Sequence, residues 1–226
     1  MNDCLTCKMF APVDSNEREE TNCDKWLGLD KSCPLVPMRF VYADPPYVGQ
    51  AKKHYSHDPN CAEVDHAELI ERLNTYDGRA LSASSPSLKI ILPLCPDDVR
   101  VMAWVKPFCI FKPNVNPAYA WEPVLVRGGR KRGRDMPTVR DWCRCNITLK
   151  RGLCGVKPDD VCFWLFDVLN MQPQDEFDDL FPGSGAVSRA WEQYKANISI
   201  REIERRESPA GGSDTIWAER RGNEGR

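Results

Sequence analysis

The run Asp44-Pro45-Pro46-Tyr47 has residue types that suit one task, the methylation of an exocyclic amino group on a planar base. The Asp44 carboxylate can accept one N–H of such an amine, and a backbone carbonyl held by the rigid prolines can accept the other. With both protons held, the nitrogen lone pair is aimed at a methyl donor. Tyr47 offers a flat face on which a base flipped out of its duplex can stack. The same four residues also compose an ordinary turn after a strand, where Asp and Pro are common.

A second candidate is Phe181-Pro182-Gly183-Ser184-Gly185. A glycine turn between a strand and a helix lets the backbone approach a cofactor closely at the helix N-terminus, although many helix-entry loops look the same. A third is the segment from Arg127 to Arg151, with nine Lys or Arg against the two acids Asp135 and Asp141. Within it, Arg130, Lys131, Arg132 and Arg134 are candidates for lying along phosphates beside the active face, and Trp142 for stacking or wedging. The alternative is a solvated basic loop.

Cys4, Cys7, Cys23 and Cys33, spaced C-x2-C-x15-C-x9-C, form a fourth candidate. Four thiolates can build a tetrahedral zinc site, and so small a module needs such a staple. An iron–sulfur cluster or four unligated thiols are the other readings. Cys143 and Cys145 could pair with Cys154 around a ligand, though plain thiols fit them better. His54 and His57 follow the Asp-Pro-Pro-Tyr run, where a surface loop is the simpler reading than substrate contact.

These residues need elements to position them. Arg39 to Ala43 reads as a buried strand running straight into Asp44. A helix is expected from Asp65, whose carboxylate caps it while Glu68 completes a capping box, with Leu69, Ile70 and Leu73 turned inward. Ala80 to Ala83, Val99 to Val105 and Pro123 to Arg127 read as strands, and Ser87 to Leu94 as a helix. Val161, Trp164, Leu165, Val168 and Leu169 repeat at helical spacing. Asp175 to Phe181 is then a strand, and Val187, Ala190, Trp191 and Tyr194 stripe the helix after the glycine turn. Alternating strands and helices predict an α/β domain with a largely parallel sheet.

Three zones follow. Residues 1–37 are a Cys-rich module, 38–204 the catalytic domain, and 205–226 a polar, glycine-rich tail. The chain of 226 residues carries a formal net charge of −2, so no global basic field draws it to nucleic acid and any such contact must be local. No apolar run reaches the ~20 residues of a membrane span, and the N-terminus lacks a signal core, which together predict a cytoplasmic protein without membrane partners. The 11 cysteines are odd in number, and Cys95 and Cys162 sit in apolar runs, as reduced core thiols would.

Together these motifs resemble a known family, the DNA amino-methyltransferases that modify adenine N6 or cytosine N4. Asp44 to Tyr47 resembles the family's catalytic motif. Asp179-Leu180-Phe181-Pro182-Gly183-Ser184-Gly185 resembles its cofactor motif, with Leu180 where proline is common, and Gly155-Val156-Lys157-Pro158 its motif before a helix. The run from Trp104-Val105-Lys106 to Trp121-Glu122-Pro123-Val124-Leu125-Val126 is similar to later strands of the catalytic half. The likeness spans about residues 39 to 195. Its order, catalytic motif first, is that of the permuted β-class, and short methylase reading frames of actinobacterial phages have a similar MRFVYADPPY start, which would put the protein in a host cytoplasm.

The resemblance implies a Rossmann-like sheet with helices on both faces, S-adenosylmethionine as cofactor, and DNA as substrate, most simply adenine N6. It implies catalytic roles for Asp44, Pro45, Pro46 and Tyr47, and cofactor contacts from Lys157, Pro158, Asp179, Phe181, Pro182, Gly183, Ser184 and Gly185. Lys157 would lie near the cofactor's carboxylate end. RNA methylation, or nucleic-acid binding without catalysis on the same fold, are the rival readings. The family places a ribose-binding acid roughly 17 to 20 positions beyond the glycine turn, where Glu202 and Glu204 lie on an expected strand, ISIREIE. The segment available for target recognition, about residues 127 to 154, is short.

Overall fold

Short runs of β-branched and aromatic residues become strands here because both faces of the sheet are covered. In a computed structural model, residues 36–49, 63–109, 111, 113–134, 136–148 and 156–207 are described, the last seven as backbone alone. Strand β1 (Arg39–Ala43) is buried at every residue after Arg39, as a central parallel strand must be. It is followed by helix α1 (His66–Leu73), strand β2 (Gly78–Ser82), the short helix α2 (Leu88–Ile91), β3 (Arg100–Val105) and β4 (Trp121–Gly128). The chain continues through β5 (Trp142–Arg144), helix α3 (Asp159–Leu169), β6 (Glu176–Asp179) and helix α4 (Ala186–Glu207).

The six strands form one sheet in the order β5-β3-β4-β2-β1-β6. Strand β1 is parallel to β2 and β6, β5 is parallel to β3, and β4 is antiparallel to both β2 and β3. The carboxyl ends of all strands but β4 therefore share one edge. This is a Rossmann-like α/β sheet with helices on both faces. On one face α3 and α4 cover Phe40, Tyr42, Met102, Trp104 and Val124. On the other, α1 and α2 cover Val41, Ala43, Leu81 and Leu125.

The local reasons are visible in the sequence. Asp65 caps α1, its carboxylate accepting from the amides of Ala67 and Glu68, and Leu69, Ile70 and Leu73 are buried beneath it. In α3, Phe166 packs edge-on against Phe177 and Trp191, with ring centroids 5.4 and 5.3 Å apart. Pro123 sits inside the central strand β4, where a missing donor is normally costly. Its carbonyl accepts from the Ala83 amide, one residue past the end of β2, so the donor it lacks falls where the ladder has already ended.

Two expectations are corrected. The stretch 87–94 is helical but not one regular α-helix: Leu88–Ile91 is α-helical between 3-10 helical turns at Ser85–Ser87 and Leu92–Leu94, where Pro93 removes a donor that an α-helix would use. The segment 198–204 is no strand but part of α4. A helix already nucleated by the buried stripe Val187, Ala190, Trp191 and Tyr194 extends at little cost through Arg and Glu, which favour it. Glu202 and Glu204 thus lose the strand-end position that the ribose reading required.

No helix among the described residues is long and apolar enough to cross a membrane. The expected Cys4, Cys7, Cys23 and Cys33 site, the tail from 208, and His54 and His57 lie outside the described residues.

Candidate active site

Asp44 follows β1 directly, and Asp179 ends β6. The two strands are adjacent and parallel, with Tyr42 opposite Asp179 and the Leu180 amide donating to the Tyr42 carbonyl. The Asp-Pro-Pro-Tyr run and the glycine turn therefore leave the same sheet edge side by side. Chain order reverses here, since β1 leads to β2 on one side and accepts β6 on the other, and such a crevice is where open α/β sheets bind ligands.

Lys157, just ahead of α3, reaches into this edge. Its Nζ donates to Asp44 Oδ1 at 3.0 Å and to Glu122 Oε1 at 2.6 Å. Lys106 Nζ donates to the other Glu122 oxygen at 2.7 Å, and burial, with Glu122 and Asp44 nearby, raises the Tyr47 hydroxyl above the usual tyrosine range. Both ammonium groups lie over the Trp104 ring, whose centroid is 4.3 Å from Lys106 Nζ and 5.4 Å from Lys157 Nζ, while its indole N–H donates to the Cys145 carbonyl. Two acids and two bases thus meet in one charge-balanced cluster over an aromatic floor.

Burial is the largest influence on Asp44 and pushes its carboxyl above the usual carboxylate range. Lys157 opposes that push, and Glu122 adds to it. Burial also raises Glu122, but Lys157 and Lys106 outweigh it and hold that carboxyl at about 2. Burial works against the Lys157 ammonium, yet Asp44, Tyr42 and Glu122 keep its proton bound well above the ordinary lysine range.

The glycine turn has the backbone its sequence suggests. Gly183 (φ +47°) and Gly185 (φ +71°) are left-handed, a region open to glycine and strained for β-branched residues. The Gly185 amide donates to the Pro182 carbonyl at 2.6 Å, and Arg189 donates to the Ser184 carbonyl at 2.7 Å. Asp179 accepts from the Phe181 amide and from Ser188 Oγ, both at 3.3 Å. Phe181 packs against the α1 side of the core. A cleft of about 550 Å³ opens between the first turns of α3 and α4, lined by Lys157, Pro158, Asp160, Ala186, Arg189 and Gln193 among others.

The sequence-predicted residues are thus partly gathered. Asp44, Pro45, Pro46, Tyr47 and Lys157 lie together, with Asp179 and the turn from Phe181 to Gly185 on the neighbouring strand end. Lys157 is directed at two carboxylates, a partnership the sequence did not foretell. The residues missed were Glu122, Lys106 and Trp104. The available signal was a carboxylate inside the apolar run Trp121–Val126, because a charge in a buried strand needs partners.

The basic residues Arg130, Lys131, Arg132 and Arg134 are not brought to this edge. Strand β4 runs against its neighbours, so the chain leaving it at Gly128 emerges opposite Gly78, a strand's length of roughly 15 Å from Asp44. Arg130 is buried: its guanidinium donates to Asp175 Oδ1 at 2.5 Å and to the Val36 carbonyl at 2.9 Å. Asp175 also accepts from the Met38 and Gln172 amides, so this pair ties the entrances of β1 and β6 together. Arg132 donates to the carbonyls of Asp167 and Pro137, whereas Lys131 and Arg134 are exposed. Trp142, on β5, is 40% exposed and lies under the Arg140 guanidinium.

Cys95, Cys109, Cys143, Cys145 and Cys162 are free thiols, and burial pushes Cys143 and Cys162 up to about 12. Among the described residues, no group of three or more His, Cys, Asp or Glu is placed to hold a metal.

No protein-family model matches the chain, and no curated protein matches it. Many solved structures match in fold, among them two of M1.HpyAVI. The crystal structure of an M1.HpyAVI–SAM complex is 15% identical with a TM-score of 0.49, over 71% of this chain and 79% of that one. The crystal structure of M1.HpyAVI is 16% identical with a TM-score of 0.42, over 71% and 77%. Likeness at this level assigns no activity, which has to be read from the residues of the site.

Proposed function

We propose that this chain is an S-adenosylmethionine-dependent amino-methyltransferase acting on DNA, with adenine N6 as the target. One observation carries the reading: the Asp-Pro-Pro-Tyr run and the glycine turn leave adjacent parallel strands at one edge, with Lys157 bound to Asp44. The cofactor fits the residues present. The cleft beside that edge has the size of a small-molecule site. Arg189 and two helix N-terminal turns suit a carboxylate there, while Asp159 and Asp160, which also line it, suit an amino group. The left-handed Gly183 and Gly185 leave the turn without side chains that would crowd a ligand.

When bound, S-adenosylmethionine supplies an electrophilic methyl group on a positively charged sulfur. The chain's residues do the rest. Asp44 Oδ1 is occupied by Lys157, which leaves Oδ2 to accept an N–H of the target amine. Pro45, which is buried, and Pro46 stiffen the backbone whose carbonyl accepts the second N–H. Tyr47, half-buried, presents its ring to the base. Asp44 then stabilises the positive charge that develops on the nitrogen as it is alkylated.

The test is transfer of labelled methyl from S-adenosylmethionine to DNA and RNA of matched sequence, followed by mass spectrometry of the nucleosides. N6-methyladenine in DNA is the expected product, and a template with its adenines replaced by purine should accept no methyl group. Transfer to RNA alone would change the substrate. The placement of the basic loop away from the active edge favours that second reading, because a single strand needs less gripping surface than a duplex. Absence of cofactor binding would leave a nucleic-acid-binding protein on this fold.

A further inference from the structure

Asp44 accepts most strongly as a carboxylate, because a protonated carboxyl keeps only a neutral carbonyl acceptor, yet its side chain is only 23% exposed, where desolvation disfavours charge. Every titratable group around it bears on that conflict. Tyr42 from β1, Tyr47, Glu122 from β4 and Asp179 from β6 are neutral or negative, and Lys106 is bound to Glu122. Lys157 is the cation in direct contact, 3.0 Å away, and its side chain is 6% exposed. Glu122, 7% exposed, holds that ammonium at 2.6 Å and so determines where it points.

We infer that Lys157 is a positioning residue that keeps Asp44 ionised by countering its charge, while Glu122 fixes where that ammonium points and, as a like charge, works against the ionisation. The inference rests on the proposed amine chemistry for its purpose, although the network itself is independent of substrate. It has an unusual signature, because the two residues act on Asp44 with opposite signs. Removing the Lys157 charge takes away the nearest cation, so the Asp44 carboxylate should protonate at higher pH. Removing the Glu122 charge while Lys157 stays takes away a like charge, so it should protonate at lower pH.

The experiment is a titration of the Asp44 carboxyl by carbon-13 NMR in full-length protein, assigned with Asp44→Asn, alongside the pH dependence of kcat. Lys157→Met should move the Asp44 midpoint up by about one pH unit or more, Glu122→Gln should move it down, and Lys157→Arg should restore it. The carboxylate is the stronger acceptor, so the acid limb of kcat should follow each midpoint, and Lys157→Met should regain turnover as pH rises. A midpoint that stays put in both Lys157→Met and Glu122→Gln overturns the inference, as does a uniform loss of kcat with an unmoved limb. If Lys157→Met does not fold, opposite movement or none in Glu122→Gln decides against it. Midpoints that move as expected in a protein transferring no methyl to DNA or RNA would uphold the network and sink the function instead.

Discussion

Asp44→Ala separates binding from chemistry. In the folded chain Asp44 contributes one oxygen to Lys157, and truncation leaves that ammonium its shorter bond to Glu122 at 2.6 Å, so no buried charge is stranded and the fold should persist. The lost interaction is a charge-assisted hydrogen bond to an amine whose positive charge grows in the transition state. Such bonds are worth about 1.5 to 3 kcal/mol in the ground state, and removal of a preorganised group facing developing charge costs about 2.7 to 4 kcal/mol. At about 1.4 kcal/mol per decade, kcat should fall roughly 100- to 1000-fold. Asp44 is assigned to the target amine and not to the cofactor, so S-adenosylmethionine affinity by calorimetry should stay within about threefold of the parent. Asp44→Asn keeps a neutral acceptor and should fall between the two. A folded Asp44→Ala protein with full turnover in the labelled-methyl assay would refute the mechanism, and equal losses in affinity and turnover would recast Asp44 as a cofactor contact.

Further outcomes can be stated briefly. Gly183→Val should abolish cofactor binding while the chain stays folded: a Cβ there meets no protein atom nearer than the Phe181 carbonyl at 3.9 Å, and left-handed strain costs only about 1 to 2 kcal/mol. Unchanged affinity would remove the turn from the site. Arg130→Met should destabilise the protein by about 3 to 5 kcal/mol in urea denaturation, because it strands a buried Asp175; an unaltered midpoint would contradict that tie. Lys131→Ala with Arg134→Ala should lower the salt dependence of DNA affinity by about one for each phosphate no longer neutralised, and an unchanged slope would take the loop out of the interface. Protein purified under reducing, chelator-free conditions should carry about one metal ion, lost in Cys4→Ser with Cys7→Ser; metal-free protein would argue against a thiolate site.

Local chemistry was legible in the sequence wherever neighbours along the chain decide structure. Strand β1, the Asp65 cap, the stripe of α3 and the glycine turn all depend on residues within a few positions of one another, so periodicity and turn chemistry located them. The end of α4 misled for the same reason: Ile198-Ser199-Ile200 has strand-like residue types, and only the buried stripe upstream makes it a continuation of a helix. Strand order decided the rest. That Asp44 and Asp179, 135 positions apart, end adjacent strands follows from β6 pairing with β1, and no local pattern encodes that pairing. The antiparallel course of β4 carries the basic loop to the far edge and places Glu122, at the strand's start, beside Lys157. Arg130 and Lys157 show why composition alone cannot assign a cation: each looks like a surface charge in the sequence, and each is buried because a distant carboxylate, Asp175 or Asp44, arrives to meet it.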